Sequence, residues 1–246
     1  MKTAHFVMQG KGGCGKSLIA ATLAQYLAAS GDTPLCVDTD PVNRTFSRTK
    51  ALGVRGLELL DSGRQIDSRQ FDNLVEWLLE HDGDAVIDNG ASVFVPLMAY
   101  LAQSGALDLL GASGVDVVLH VPIIGGDALD DTANGFNALL SSTGADAVAW
   151  VNPHFGAVTR DGKHFRDSAL AARHASRLRG MVELPDWDRA TFGKDLAQMR
   201  EHGLTFDEAA SKPEYSAMTR HRLSRMRGEL FSLLDGCALR ASKEAA

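Results

Sequence analysis

The chain has 246 residues, of which 45% are hydrophobic and 23% charged, the composition of a globular protein long enough for one full-sized core. Its formal net charge of −6 argues against a surface that wraps nucleic acid as a whole, while leaving room for a local basic patch. No stretch approaches about 18 unbroken apolar residues, so no transmembrane helix is predicted.

Strand-like and helix-like segments alternate along the chain. The predicted elements, in chain order, are a strand at 4–9, a helix at 16–29, a strand at 34–38, a helix at 68–81, a strand at 84–88, a helix near 94–110, a strand at 115–122, a helix near 126–142, a strand at 146–152, a helix near 164–178, a strand at 180–184 and a last helix from after Pro213 to near Gly236. Such alternation with short connections requires right-handed crossovers. We therefore predict an α/β fold with a doubly wound, mostly parallel sheet and helices on both faces. It forms one domain over 1–237, followed by a frayed tail over 238–246.

The cysteines indicate a reducing environment. Cys14, Cys36 and Cys237 are odd in number and far apart in sequence, so a disulfide framework is not expected. Without a Cys-x-x-Cys pair, neither zinc nor an iron–sulfur cluster has its usual ligand spacing. The N-terminal residues run directly into a strand rather than into a signal-peptide core. A cytoplasmic location is the resulting expectation.

A glycine-rich loop is the most specific motif. Residues 10–17 read Gly-Lys-Gly-Gly-Cys-Gly-Lys-Ser and match G-x-x-x-x-G-K-[ST] between a predicted strand and a predicted helix. Such a loop turns its backbone N–H groups towards phosphates, the lysine charge faces the β- and γ-phosphates, and the serine hydroxyl binds Mg²⁺. The predicted nucleotide-binding residues of this segment are Gly10, Lys11, Gly12, Gly13, Cys14, Gly15, Lys16, Ser17 and Leu18.

The second residue of the loop points to one branch of P-loop ATPases. The run Lys-Gly-Gly-x-Gly-Lys-Ser that starts at Lys11 resembles the deviant Walker A motif of the ParA/MinD family. The resemblance implies that Lys11 reaches the ATP of a partner subunit in an ATP-dependent homodimer, and that Lys11 and Lys16 both act in catalysis.

Aspartates at two predicted strand ends complete the expected phosphate site. Residues 38–41 read Asp-Thr-Asp-Pro, and Asp88 ends the segment Asp-Ala-Val-Ile-Asp. Ligands bind beyond the carboxyl ends of parallel strands, so these carboxylates can face the phosphates, although an aspartate there is often only a turn or helix cap. By resemblance to ParA-like proteins, Asp38 belongs to the magnesium shell, Asp40 orients the attacking water, and Asp88 binds Mg²⁺ as a Walker B aspartate. Val42 stands where the family often has glutamine, which puts the hydrolysis rate in question.

Adenine is the expected base. A GTPase of this class would carry Asn-Lys-x-Asp after a late strand, whereas residues 152–155 read Asn-Pro-His-Phe. The family resemblance places Asn152 and Pro185 beside the base. Asn152 is alternatively only a turn residue before proline. The expected cofactors are ATP and Mg²⁺.

Longer stretches are similar to the TraL-type ATPases of bacterial conjugative plasmids. They are residues 8–17, 33–41, 87–97 and 203–207, and the ending Met-Thr-Arg-His-Arg-Leu-Ser-Arg-Met-Arg-Gly-Glu-Leu-Phe. The similarity implies a role in conjugal DNA transfer with relaxase or secretion proteins as partners.

Two other functions stay open. One is a nucleotide-sensing scaffold that does not hydrolyse ATP, suggested by the unusual residues after Asp40 and Asp88. The other is a partitioning or positioning ATPase that binds DNA or membrane through its last helix, which carries Arg220, Arg222, Arg225 and Arg227. Apolar residues recur on that helix at helical spacing, so simple docking onto the sheet is the favoured interpretation.

Overall fold

The computed structural model describes residues 2–237 and Leu239. The strands, in chain order, are β1 (Lys2–Val7), β2 (Leu35–Asp38), β3 (Arg55–Gly56), β4 (Ala85–Asp88), β5 (Val115–Ile124), β6 (Asp146–Asn152), β7 (Thr159–Arg160), β8 (Lys163–His164) and β9 (Leu178–Glu183). The α-helices are α1 (Lys16–Ala28), α2 (Gln70–Glu80), α3 (Phe94–Gln103), α4 (Ala106–Ala112), α5 (Leu129–Thr143), α6 (Ala169–Arg173), α7 (Lys194–Glu201), α8 (Phe206–Ser211) and α9 (Ala217–Asp235).

Seven strands form one sheet in the order β3-β2-β4-β1-β5-β6-β9. Every neighbouring pair is parallel, and the remaining two strands make a small antiparallel hairpin. The chain runs from β1 to β2 on one side and later to β5 on the other, so the strand order reverses at β1. Crevices for ligands form beyond the carboxyl ends of the strands at such a reversal.

Helices cover both faces of the sheet, as predicted. Phe6 in β1 and Leu119 in β5 pack against α2, α3 and α5 in one core, whereas Val7 and Val118 pack against α1 and α9 in the other. Because both faces are buried, the strands are almost continuously apolar instead of alternating with polar residues.

Two predicted helices are wrong in detail. The helix expected near 94–110 is two helices, because Gly105 adopts a left-handed backbone with φ of 74° and separates α3 from α4. The helix expected near 164–178 is a hairpin strand followed by short helical turns. Ser168 starts α6 there by accepting the N–H of Ala171, so the helix begins late and spans only five residues.

Several elements lie outside the predicted ones, and the predicted tail is mostly outside the described residues. The sequence interpretation omitted β3, α7 and α8. Of the tail at 238–246, only Leu239 is described, and it is buried in the core that contains α9. No single described helix has the length and apolarity needed to cross a bilayer. One bent pair, 91–103 with 106–112, reaches that threshold on length and composition alone.

Candidate functional site

The glycine-rich loop joins β1 to α1 at the reversal point of the sheet. Gln9 anchors the start of this loop: its Nε2 donates to the carbonyl oxygens of Pro122 and Thr132, and its Oε1 accepts the N–H of Gly10 at 2.9 Å. A Cβ atom on Gly135 would lie 2.2 Å from Gln9 Oε1, so this glycine leaves room for the anchor. The loop is thereby tied to β5 and α5 before it turns.

The turn itself depends on left-handed backbone. Gly13 and Gly15 have φ angles of 73° and 98°, which other residues adopt only with strain. Lys16 is buried and donates from Nζ to the carbonyl oxygen of Lys11 at 2.8 Å. The Lys16 ammonium group therefore lies inside the loop and links the end of the loop to its second residue.

The N-terminus of α1 opens into the same space. Gly15 caps this helix without a side-chain hydrogen bond, so the first N–H groups of the helix have no capping acceptor. Such free N–H groups and the helix dipole attract anions. Loop and helix together form an anion-binding arrangement around Lys16.

Cys14 does not contribute a reactive thiol. It is buried, and its Sγ donates to the carbonyl oxygen of Lys11 at 3.1 Å. Burial raises the pKa of the Cys14 thiol, against the opposing charge of Lys16. A raised pKa disfavours the nucleophilic thiolate, so the residue serves the loop through its backbone and packing.

Asp38 and Asp88 end two adjacent strands in register. Burial raises the pKa of Asp88 to about 7, and a hydrogen bond from Ser17 only partly offsets the effect. Asp88 Oδ1 is buried with no hydrogen-bond partner among the described residues. A buried carboxylate oxygen left without a donor, beside a serine hydroxyl, supplies the oxygen ligands that a hard cation such as Mg²⁺ prefers.

Asp38 and Asp40 hold the segment that follows β2. Asp38 Oδ2 accepts both the N–H and the hydroxyl of Ser47 at 3.0 Å, and its Oδ1 accepts the N–H of Asp40. Asp40 Oδ1 in turn accepts the N–H groups of Val42 and Asn43 at 2.9 and 3.1 Å. Both carboxylates thus act as turn caps in this structure, and only Asp40 of the two also lines a cavity.

The segments after β2 and β4 touch each other through backbone. A Cβ atom on Gly90 would lie 2.9 Å from Asp40 Cα, closer than real Cβ contacts allow. Glycine is therefore required at position 90 for this contact.

Two cavities meet at the loop. The first, of about 450 Å³, is lined by the following residues of the loop and its surroundings: Gly12, Gly13, Gly15, Lys16, Ser17, Asp40, Val42, Asn43, Thr45, Asp88, Asn89, Ala91, Ser92 and Arg200. The second, of about 440 Å³, is lined on one side by Leu18, Asn152 and Pro185. Gly13, Gly15 and Arg200 belong to both linings, so the two cavities adjoin at the loop.

The second cavity is lined by both apolar and polar side chains. Leu184, Trp187 and Met226 give it apolar walls. Asn152 Nδ2 donates to the carbonyl oxygen of Cys14 at 3.4 Å, which fixes the asparagine against the loop. The two adjoining cavities, called the cleft below, thus have Gly12, Gly13, Gly15, Lys16, Ser17, Asp40 and Asp88 of the predicted phosphate site on one side, and Leu18, Asn152 and Pro185 on the other.

Lys11 lies apart from the cleft lining. Its Nζ forms an ion pair with Asp131 Oδ2 at 2.9 Å. Gly10 also lies behind the loop, where a Cβ atom would approach Phe94 to 3.1 Å.

Sequence reasoning missed Arg200, which lies in α7 and lines both cavities. It belongs to no short motif, and its helix was not predicted, so only the tertiary structure brings it to the loop. Asn43 and Thr45 were missed for a similar reason, although their position just after the Asp-Thr-Asp-Pro segment was a usable signal.

The arginines of α9 are mainly engaged with the protein itself. Arg222 pairs with the buried Asp195, Arg225 with Glu229, and Arg227 with Asp207. The apolar side of the helix packs into the core. These contacts agree with a docked helix.

The comparisons with known proteins agree with this arrangement. A model described as the CobQ/CobB/MinD/ParA nucleotide binding domain matches residues 5–206. Two Escherichia coli proteins named Protein TraL are each 44% identical to this chain over 241 residues, which is 97% of this chain and 100% of theirs.

Solved structures show the same fold at low identity. The cell division ATPase MinD of Pyrococcus furiosus superposes with a TM-score of 0.53 at 17% identity, covering 95% of this chain and 100% of that one. The septum site-determining protein MinD of Pyrococcus horikoshii, complexed with Mg-ADP, gives 0.50 at 17% identity over 97% and 99%.

Parallel sheet, phosphate-type loop and helices on both faces define a P-loop NTPase fold. Within that class, the chain belongs to the CobQ/CobB/MinD/ParA family of nucleotide-binding domains, and it is similar over nearly its full length to TraL proteins. The resemblances to the ParA/MinD family and to TraL-type proteins, and the predicted fold class, are thereby confirmed.

Proposed function

We propose that the protein binds Mg-ATP in the cleft formed by the two adjoining cavities and hydrolyses it slowly, in a cycle of ATP-dependent dimerisation that serves conjugative DNA transfer. The observation that carries the proposal is the loop at 10–17, which surrounds the Lys16 ammonium group while Asp88 Oδ1 faces the same cavity without a donor. A P. horikoshii relative in fold was crystallised with Mg-ADP, which supports the choice of nucleotide and metal.

The residues around the cavity fit a magnesium ion. Ser17 and Asp88 would hold it, with Asp38 close by at the end of the adjacent strand. When bound, the ion neutralises phosphate charge. Binding of a cation would also remove the cost of an ionised Asp88 in a buried place, because an opposite charge favours the ionised form.

The chain's own groups supply the rest of the chemistry. The loop N–H groups and Lys16 hold phosphate oxygens, and the negative charge that develops on these oxygens during transfer strengthens those contacts. Asp40 lines the cavity and is the residue proposed to orient the attacking water. Asn152 and Pro185 hold the base in the second cavity.

One observation favours a second candidate, a nucleotide-sensing scaffold without turnover. Asp40 Oδ1 already accepts two backbone N–H groups, and Asn43 Nδ2 donates to its Oδ2 at 3.3 Å. The carboxylate still has one free lone pair for water, but these contacts fix it as a turn cap, so its aim depends on the conformation of the segment after β2. We therefore expect slow hydrolysis unless a partner rearranges that segment.

The role in conjugation and the partners rest on the TraL relatives. Relaxase or secretion proteins are the proposed partners. The paired arginines of α9 do not favour a partitioning ATPase that binds DNA or membrane through this helix. A cytoplasmic location belongs to the same proposal.

The test is a titration of the protein with Mg-ATP, read by phosphate release and by molecular mass in light scattering. Mass doubling with measurable phosphate release supports the ATPase cycle. Tight binding without release, even after candidate partners are added, supports the scaffold. Absence of binding to wild type, or undiminished ATP binding by Lys16→Ala, overturns the proposal.

A further inference from the structure

Arg200 stands where the two cavities join. It belongs to the last turn of α7, and its side chain lines the cavity around Lys16 and Ser17 as well as the cavity around Asn152. A nucleotide whose phosphates occupy the first space and whose base occupies the second would have to pass this guanidinium.

The charge of Arg200 has no ion-pair partner within residues 2–237 and Leu239. Other arginines of the same half of the chain, such as Arg222, are paired with carboxylates. Arg48, which also has no ion pair among the described residues, acts on Arg200 as a second positive charge. The Arg200 guanidinium thus lines both cavities as a cation without a directly paired carboxylate.

The surroundings act on Arg200 in two directions. Arg200 is exposed as a residue, but the protein around its guanidinium removes water from it, and this desolvation lowers its pKa. The negative charge of Asp88 raises the pKa of Arg200, and the positive charge of Arg48 lowers it. An arginine remains charged despite such shifts. A bound anion would relieve both the desolvation and the repulsion from Arg48.

The backbone that carries Arg200 is held in place from two sides. Asp195 in the first turn of α7 accepts hydrogen bonds from Thr219 and Arg222 of α9. Beyond the helix, a Cβ atom on Gly203 would lie 2.3 Å from the carbonyl oxygen of Arg48, so the end of α7 lies directly against the segment after β2. The guanidinium is thus presented from a fixed helix to the cleft.

We propose that Arg200 is a nucleotide ligand that binds the phosphate groups, supplied within the same chain by α7. The inference rests on the proposed nucleotide binding and adds a phosphate contact that the loop motif does not contain. A guanidinium forms two parallel hydrogen bonds to phosphate oxygens, which lysine cannot reproduce. Arg200 therefore favours ATP and ADP over ligands that have the base alone.

The test compares Arg200→Ala, Arg200→Lys and wild type by calorimetric titration with Mg-ATP and with Mg-ADP. Adenosine is measured by competition against a fluorescent ADP analogue. Loss of a charge-assisted contact is expected to weaken both nucleotides by about tenfold or more in Arg200→Ala, with Arg200→Lys intermediate. Adenosine affinity should stay the same in all three proteins.

Arg69→Ala is the matched control, because Arg69 is exposed just before α2 and its removal changes the net charge equally. It should bind all three ligands like wild type. A uniform loss in this control would assign the effect to net charge and overturn the proposal. So would equal ATP affinity in Arg200→Ala and wild type, or an adenosine affinity that falls as far as that of ATP.

Two further comparisons keep the outcome decisive. If Arg200→Ala does not fold, judged by its melting temperature without nucleotide, Arg200→Gln and Arg200→Lys carry the test with the same criteria. Lys16→Ala separates the two hypotheses. If wild type binds ATP, Lys16→Ala does not and Arg200→Ala does so normally, the role of Arg200 is refuted while the nucleotide site stands. If wild type itself binds no nucleotide, the proposed function fails first.

Discussion

The Lys11 ammonium group forms an ion pair with the Asp131 carboxylate across 2.9 Å, linking the phosphate loop to the first turn of α5. Both side chains are exposed, at 43% and 62% of their surface, and exposed pairs of this kind contribute little to stability. Lys11 can therefore leave Asp131 at small cost, as its proposed contact with the ATP of a second subunit requires.

Lys11→Ala is expected to abolish ATP-dependent dimerisation while retaining most ATP binding, because this side chain lies outside the cleft lining. Light scattering with and without Mg-ATP measures the dimer, and calorimetry measures the binding.

Asp131→Asn is the matched control for that experiment. It breaks the same ion pair but retains the Lys11 charge, so it should dimerise at least as well as wild type. If both variants lose the dimer equally, the contact within one chain is what matters and the role of Lys11 across the interface is wrong.

Asp88→Asn is expected to stabilise the protein without nucleotide and metal. The folded pKa of Asp88 is about 7 against 3.8 for the unfolded chain. As pH rises, the Asp88 carboxyl group therefore loses its proton in the unfolded chain at a lower pH than in the folded protein. Asp88 thus lowers the free energy of unfolding progressively from about pH 4 to pH 7. Removing the charge should raise the free energy of unfolding by about 4 kcal/mol at pH 8 and change it little at pH 4.

Urea denaturation of the metal-free protein at the two pH values measures this effect. Mg-ATP should stabilise wild type more than Asp88→Asn, since the variant lacks the carboxylate for the cation but keeps the loop and Lys16. An Asn variant that is no more stable than wild type at pH 8 would contradict the buried-charge explanation.

A buried chain of hydrogen bonds makes stability sensitive to acid. Trp150 Nε1 donates to His120 Nδ1 at 3.0 Å, so that nitrogen carries no proton and His120 Nε2 donates to His5 Nδ1. His5 Nε2 then keeps a proton with no acceptor among the described residues. Burial lowers the pKa of His5 to about 4 and that of His120 well below its usual value.

Because the pKa values of both histidines are lowered in the folded protein, the stability associated with their neutral forms is fully present above about pH 6.5. It is lost as pH falls towards 4, because the unfolded chain takes up protons that the buried histidines do not. We expect each histidine to cost about 2 kcal/mol of unfolding free energy between pH 7.5 and 5. Urea denaturation followed by tryptophan fluorescence measures the slope. His120→Gln should reduce it, whereas the exposed His164→Gln should not; equal slopes in all three proteins would refute the assignment.

Asp195→Ala tests whether α9 is docked as a structural helix. The variant leaves Arg222 and Thr219 without their buried acceptor, so the free energy of unfolding should fall by about 2 kcal/mol. Asp207→Ala is the control, because Asp207 pairs with Arg227 at 77% exposure and should cost less than about 0.5 kcal/mol. Similar losses in both variants would contradict a docked helix, and thermal unfolding distinguishes the two outcomes.

Local patterns were enough for the loop and for every strand of the main sheet except the edge strand β3. The apolar runs at 84–88 and 115–122 become β4 and β5, because strands buried on both faces need little more than apolar β-formers between turn residues. The loop at 10–17 combines motif and context, so its position between β1 and α1 was predictable.

The features that the sequence patterns did not predict depend on backbone conformation and on contacts between distant residues. The helix expected near 94–110 ignored Gly105, whose left-handed backbone separates α3 from α4. Arg200 could not be placed because nothing in its sequence neighbourhood records that α7 ends beside the loop. The occupied oxygens of Asp38 also depend on a partner, Ser47, nine residues further along the chain.

The close approach of Gly90 to Asp40 has a mechanical consequence. There is no room even for a methyl group between Gly90 and Asp40, so the segments after β2 and β4 cannot move closer together. A nucleotide that pushes the segment after β2 towards Gly90 must therefore also displace the segment after β4. Four residues after Gly90 the helix α3 begins, and Val95 on it is 62% exposed. Movement of the segment after β2 is therefore coupled through Gly90 to the start of α3.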